Sequence, residues 1–396
     1  MSSPIVSPIS RWALDPGVVH LNHGSFGGCL RATLAAAAAI RDRVEGSPMR
    51  YFVTRWQAEL DEARTAAAAF VGADPARTAF VANATTGVAL ALASCAEAIG
   101  AGDELVTTDH AYRACRNQLD RLAAACGAGV VVVRVPEPFD ADALVAAFAR
   151  ALGPRTRLAL VDHITSPTAL ILPLERMLDE LAARGIPCIV DGAHAPGQIA
   201  LDVAALAARG ATYYAGNFHK WVCAPKSSGF LAVAAGAAWR PLVTSHGASA
   251  DYGPPNRLHA ELDWGGTHDP APHLAVPAAI ADVAEEVGGG WPEVRARNHA
   301  LALGLRARLA DALGGTPPAL PPAAAIGAMA TVPIALPPGL APAALQLQLL
   351  ERGWEVPVVE HGARLFVRVS AHLYNGAADA DAFARELHAH RVTLAI

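Results

Sequence analysis

The sequence predicts a mostly parallel, doubly wound seven-stranded α/β sheet in a large domain, followed by a smaller α/β C-terminal domain. Three observations predict it. Short apolar runs alternate with helical patterns from Thr78 to Tyr214. One of these runs, Pro187-Cys188-Ile189-Val190, ends in Asp191, and the carboxyl ends of strands are where open α/β sheets bind ligands. A helical pattern from Pro292 to Leu313 then carries the chain into a second set of strands. The expected division is an arm over residues 1–20, a large domain over 21–285 and a small domain over 286–396.

The elements follow in order. Leu21-Asn22-His23-Gly24-Ser25-Phe26-Gly27 is turn-rich and precedes a helix from about Ala32 to Val44. Trp56 to Phe70 reads as a helix and Thr78 to Val81 as a strand. That strand leads into Asn83-Ala84-Thr85-Thr86-Gly87, which opens a helix. Small residues and hydroxyls at a helix start bind phosphate through free N–H groups and the helix dipole. An ordinary N-cap by Thr85 or Thr86 is the alternative. Glu104 to Thr108 is a strand ending at Asp109-His110-Ala111-Tyr112, and Val130 to Val135 is the next. A helix from about Asp140 to Ala149 precedes the strand Leu158 to Val161, which ends in Asp162-His163. Leu174 to Arg184 is a helix stopped by Gly185. After Asp191 come a helix from about Val203 to Arg209, the strand Ala211 to Ala215, and Gly216-Asn217-Phe218-His219-Lys220. Gly229 to Ala234 is expected to return antiparallel. Pro277 to Val287 is a further helix. The small domain has strands at about Ala328 to Leu336, Trp354 to Val359 and Leu365 to Val369. Its helices start at about Ala341 and run from about Ala378 to His390.

Composition narrows the function. A hydrophobic fraction of 53% and a net charge of −5 suit a soluble enzyme and give no basic surface for nucleic acid or an anionic membrane. Six cysteines lie scattered without metal-type spacing and are expected as free thiols; no metal site is expected. The start MSSPIVSPIS lacks a basic segment followed by an apolar one, so a cytoplasmic location is expected. No charged residue occurs between Asp311 and Glu351, but Pro317, Pro318, Pro321 and Pro322 and further prolines break any membrane-spanning helix there. The stretch reads as a proline-rich connector, a strand and a helix. No dinucleotide fingerprint or P-loop is present.

Three residues carry the chemistry. Lys220 lies between two apolar runs, at a position where partial desolvation lowers its pKa and makes it a nucleophile. The standard use of such a lysine is a Schiff base with pyridoxal phosphate. Asp191, at a strand end upstream, supplies the acid that keeps that cofactor's ring nitrogen protonated. Arg368 sits in the apolar strand Leu365-Phe366-Val367-Arg368-Val369 and needs a partner there. Its forked donors match a carboxylate, and a structural salt bridge is the alternative.

With DGAHAPG at Asp191 to Gly197, the lysine that follows it and the late arginine, the chain resembles the class V, fold-type I pyridoxal-phosphate enzymes, and in particular isopenicillin N epimerase and its relatives. Matching segments run from Asn22 to the stretch at Arg368. The resemblance implies a phosphate cup at Ala84 and Thr85, and an aromatic stack on the cofactor by His110, with Tyr112 second. It implies contacts to the cofactor's phenolic oxygen by His163 and His194, and phosphate contacts by Asn217 and His219. It assigns Thr267 to the phosphate of a neighbouring subunit, hence a homodimer with shared sites. Asn22, His23, Tyr112 and Arg368 fall on the substrate side, with Arg368 on the α-carboxylate. Phe218 departs from the usual small residue and is expected to narrow the site.

The implied activity is proton removal at Cα of an amino acid or its conjugate, with Lys220 as base. It continues as epimerisation or as C–S β-elimination from a cysteine S-conjugate, in secondary metabolism. Epimerisation requires a second acid, with His23, Tyr112 or His163 as candidates. Arg50 or Arg257 is available for a second acidic group on the substrate. Decarboxylative deamination, transamination and a catalytically silent binding protein remain as alternatives. Persulfide-type desulfuration does not fit, because Val358 to Leu365 contains no cysteine.

Overall fold

A computed structural model describes residues 7–249, 251, 253–315 and 320–395. The start of the expected arm and Pro317 and Pro318 of the connector lie outside the described residues. The large sheet consists of β1 (Thr78–Val81), β2 (Glu104–Thr108), β3 (Gly129–Val133), β4 (Thr156–Asp162), β5 (Cys188–Gly192), β6 (Ala211–Asn217) and β7 (Gly229–Val233). Their spatial order is β1-β7-β6-β5-β4-β2-β3. Every pairing is parallel except those of β7, which runs antiparallel to β1 and β6, as the sequence predicts.

The central strands read as unbroken apolar runs because both faces are covered. Successive residues of β4 alternate between two cores: Ala159 and Val161 pack on one face, Leu158 and Leu160 on the other. Helices α1 (Ala84–Cys95), α2 (Arg113–Cys126), α3 (Ala141–Ala151), α4 (Leu174–Ala182) and α5 (Val203–Ala208) make the crossovers. The cap of α1 falls to neither threonine. Asn83, in extended conformation, accepts from Thr86 N at 2.9 Å, so the cap is Asn83 and the two threonines lie inside the helix.

The second core surrounds a four-stranded sheet of β8 (Met329–Ala335), β9 (Val358–His361), β10 (Arg364–Ser370) and β11 (Thr393–Leu394), in the order β9-β10-β8-β11. The expected strand over Trp354 to Val359 is split. Trp354–Glu355 pairs in parallel with Val19–His20, and β9 starts only after Pro357, which has no N–H to give a ladder. The end of the arm therefore forms a separate two-stranded sheet with the segment that precedes β9. Helix α6 (Gly290–Ala312) enters both cores: Trp291 and Val294 belong to the first, Leu301, Leu305 and Leu309 to the second. Among the described residues no helix is long and apolar enough to cross a membrane.

Candidate active site

The carboxyl ends of β4, β5 and β6 open into a cavity of about 490 Å³. Thr85, Tyr112, Asp162, Asp191, His194 and Lys220 are among its lining residues. In-register pairing of β4 with β5 sets Asp162 opposite Asp191, so two acids share the floor.

Lys220 stands on the turn after β6, with its amine buried. Burial pulls its pKa down to about 8, against the upward pull of Asp191. The Nζ atom lies 3.2 Å from His194 Nε2. His194 Nδ1 accepts from Trp221 Nε1 at 3.5 Å, which leaves Nε2 to face the lysine amine. Burial, and then the charge of Lys220, keep this imidazole well below the ordinary histidine range. The turn is held from outside by the segment after the arm. His23 Nε2 donates to Lys220 O at 3.0 Å, and a Cβ on Gly27, at φ +72°, would fall 1.9 Å from His219 O. Only glycine fits there. The whole chain contains two lysines, Lys220 and Lys226, and both line this cavity.

Asp191 Oδ1 accepts from Ala193 N at 3.0 Å, and Oδ2 from the Cys115 thiol at 3.1 Å. Burial and the neighbouring Asp191 raise Asp162 well above the carboxylate range. At the other side, the first N–H of α1, on Ala84, donates to Asn217 Oδ1 at 2.8 Å. Asn217 thus ties the helix start to the lysine turn.

Arg368, on β10, is 4% exposed. Its Nη1 donates to Ser166 O and, at 3.3 Å, to Ser166 Oγ; its Nη2 donates to Ser25 Oγ at 2.7 Å and Asn22 Oδ1 at 3.4 Å. Its Nε has no partner, and no described carboxylate lies within ion-pair distance. The salt-bridge alternative is thus absent among the described residues. Burial pulls this guanidinium down to about 10. Ser25 and Ser166 line the cavity, so the unneutralised charge stands directly behind its wall.

Several expected site residues lie elsewhere. His110 does not line the Lys220 cavity. Its Nδ1 meets Thr168 Oγ1 at 2.8 Å and its ring abuts His361, in a separate cavity of about 480 Å³. Tyr112, 42% exposed, lines the Lys220 cavity instead. His163 points away as well, with Nδ1 2.8 Å from Tyr214 Oη; a step of one residue along a strand reverses the face, and Asp162 takes the inward place. His23 is sealed between Lys220 O and Tyr374 Oη. Asn22 reaches the site only through Arg368 and Ser25. His219 lines the cavity, its Nδ1 held by Ser228 O at 3.1 Å. Phe218 is fully buried against Phe230 and Phe80, so it fills the core and leaves the cavity unnarrowed. Thr267 lines an adjoining cavity that shares Lys226 and Ser227 with this one. Arg257 is turned to Glu261 and nearby carbonyls. Asp162, Ser25 and Ser166 were not singled out from sequence. Asp162 carried the same signal as Asp191, an acid ending an apolar strand.

A buried amine of lowered basicity, a strand-end acid and a helix start tied to the lysine turn fit pyridoxal phosphate. They define a fold-type I pyridoxal-phosphate enzyme. The family model described as "Aminotransferase class-V" matches residues 44–383. The chain is 37% identical to isopenicillin N epimerase of Amycolatopsis lactamdurans, over 95% of this chain and 96% of that one. It is 34% identical to putative L-cysteine desulfhydrase 1 of Oryza sativa subsp. japonica, over 77% of this chain and 66% of that one. A structure of the C-DES protein with glycine covalently linked to its PLP cofactor superposes with TM-score 0.80 at 20% identity, over 96% and 99% of the two chains. The protein belongs to the class V aminotransferase family and is a pyridoxal-phosphate-dependent enzyme of the epimerase and lyase type.

Proposed function

We propose that the protein removes the α-proton of an amino acid or amino-acid conjugate, and returns a proton on the opposite face as an epimerase. The observation that carries this reading is the pairing of Lys220 and Tyr112 in one cavity. Lys220 follows β6 and Tyr112 follows β2, with β5 and β4 between them in the sheet, so the two residues come from loops on either side of the strands that carry the two acids. Of the three candidates for a second acid, Tyr112 is the one that lines the cavity.

Pyridoxal phosphate, when bound, supplies an electron sink conjugated to Cα. Lys220 would hold the cofactor until the substrate's own amine takes its place, and the freed, unprotonated amine would then take the α-proton onto Nζ. Asp191 keeps a proton at the ring nitrogen. Thr85 and the start of α1, tied by Asn217, hold the phosphate, with His219 beside them. His194 orients the Lys220 amine. Arg368 receives the α-carboxylate, exchanging neutral partners for a charged one. Tyr112 Oη delivers the proton on the second face.

A second reading is C–S β-elimination, supported by relatives named L-cysteine desulfhydrase. There the same proton reaches Lys220 Nζ and the β-sulfur leaves as a thiol. Thr267, in the cavity that adjoins the site, supports a homodimer in which each copy completes its partner's phosphate site. The six free cysteines support a cytoplasmic enzyme, and the epimerase names support a place in antibiotic biosynthesis.

The test is incubation in deuterated water with L-amino acids and S-substituted cysteines. Deuterium at Cα with inverted configuration is the expected result. Pyruvate, ammonia and free thiol would replace the first reading by the second. Absence of any exchange at Cα would overturn both.

A further inference from the structure

The cavity that takes His110 lies where the exit of β2 meets the β9–β10 hairpin of the second sheet. Three donors converge in it. Asp109, His110 and His361 each offer one ligand atom, and these atoms lie within 4.8 Å of one another. His110 Nε2 is 3.9 Å from Asp109 Oδ1, too long for a hydrogen bond, and the two imidazole rings meet at 4.1 Å between centroids and 78° between planes. Among the described residues the His361 imidazole has no hydrogen-bond partner, and His110 Nε2 has none either. Two imidazoles, set edge to face, and a carboxylate thus meet without hydrogen-bonding one another.

The groups behind them are already in place. Thr168 Oγ1 holds His110 Nδ1 at 2.8 Å, which fixes the ring and leaves Nε2 directed at Asp109. Val135 N donates to Asp109 Oδ1 at 2.9 Å, fixing that carboxylate. Metal-ligating histidines and carboxylates are oriented through such outer partners. Donor pairs around a tetrahedral zinc ion stand about 3.3 Å apart, so closure from the observed spacing requires a shift of roughly half an ångström to an ångström and a half. Two imidazoles with one carboxylate select a transition metal over magnesium or calcium.

We propose that Asp109, His110 and His361 bind one divalent transition-metal ion of the zinc class between the two sheets. Three protein ligands leave a position open toward the cavity, for water or a small ligand. The ion joins the hairpin to the Asp109–Tyr112 loop, whose last residue lines the Lys220 cavity. Among the described residues two other groups of suitable donors occur: in His23, Cys223 and His372 both ring nitrogens of His23 are engaged by Lys220 O and Tyr374 Oη, and in Asp61, His259 and Asp263 both carboxylates already pair with Arg64.

The experiment uses tag-free, cofactor-loaded protein, freed of metal by chelator and titrated with zinc chloride. The readouts are metal content per chain by mass spectrometry, calorimetric affinity and melting temperature. The expected result is one zinc per chain and a raised melting temperature. Thr168→Val weakens binding about 10- to 100-fold, and His361→Gln weakens it further. His361 is half-buried on a hairpin, and an unchanged melt of the metal-free His361→Gln protein serves as its folding control. Cys223→Ser keeps the site. No stoichiometric zinc in the wild type, or a zinc that survives His361→Gln with undiminished affinity, overturns the proposal.

Discussion

Replacing Arg368 by methionine separates a binding role from a structural one. The guanidinium is buried, and its partners are Ser25, Asn22 and Ser166, all neutral. Its pKa, drawn down to about 10, corresponds to about 3 kcal/mol paid to keep the charge there. The hydrogen bonds lost on substitution are worth about 1.5 kcal/mol each when the donor is charged, so two good ones offset that cost. Ser25 Oγ keeps its bond to Asn22 Oδ1 at 2.5 Å. Stability should therefore change by no more than about 1 kcal/mol, and the melting temperature by no more than about 3 °C. Losing half of a buried ion pair would instead cost about 3–5 kcal/mol. Ligand recognition should behave in the opposite way. A bidentate carboxylate contact worth about 2–4 kcal/mol gives about 30- to 700-fold in affinity. The assay is spectral titration of the cofactor-loaded protein with L-alanine and with ethylamine, which differ by the carboxylate. Wild-type protein should prefer L-alanine by that factor, and Arg368→Met should lose the preference. A melt lowered by 8 °C or more, or a preference that survives, would refute the assignment.

The remaining predictions concern the lysine turn. Lys220→Ala should lower turnover by at least about two to four orders of magnitude, measured as deuterium incorporation at Cα. Cofactor uptake by cofactor-free protein should depend on pH through the Lys220 amine. With a pKa of about 8, the neutral, reactive form at pH 7 is about 300-fold more abundant than for an ordinary lysine. The uptake rate should rise about tenfold per pH unit below 8 and level off above it; stopped-flow absorbance would show a flat profile if the amine were not the nucleophile. Phe218→Ala should cost about 3–5 kcal/mol in denaturant unfolding while leaving L-alanine affinity within a few-fold, because the ring packs against Phe230 and Phe80 outside the cavity. Gly27→Ala places a Cβ against His219 O and should slow cofactor uptake by displacing the turn.

What the sequence disclosed, and what it hid, follows physical lines. Strands β4 to β6 are continuous apolar runs bounded by breakers, and their order and direction follow from alternation with helices. Asp191 was legible because it ends such a run, and Lys220 because it lies on the turn between two of them. Side-chain facing at a strand end was not, because an error of one residue exchanges Asp162 for His163. The choice between His110 and Tyr112 depended on how the loop after β2 turns, which apolar periodicity does not record. Arg368 was visible as a misplaced charge in an apolar strand, but its partners Asn22 and Ser25 come from the far end of the chain. Pro357 marked the break between Trp354–Glu355 and β9.

The central claim is that Lys220 is the residue on which the cofactor is held. Borohydride reduction of the pyridoxal-phosphate-loaded protein, followed by peptide mapping, tests it directly, since Lys226 is the one other lysine in the chain. The account predicts the cofactor's mass on Lys220. Its appearance on Lys226, or a protein that takes up no pyridoxal phosphate, would contradict the account.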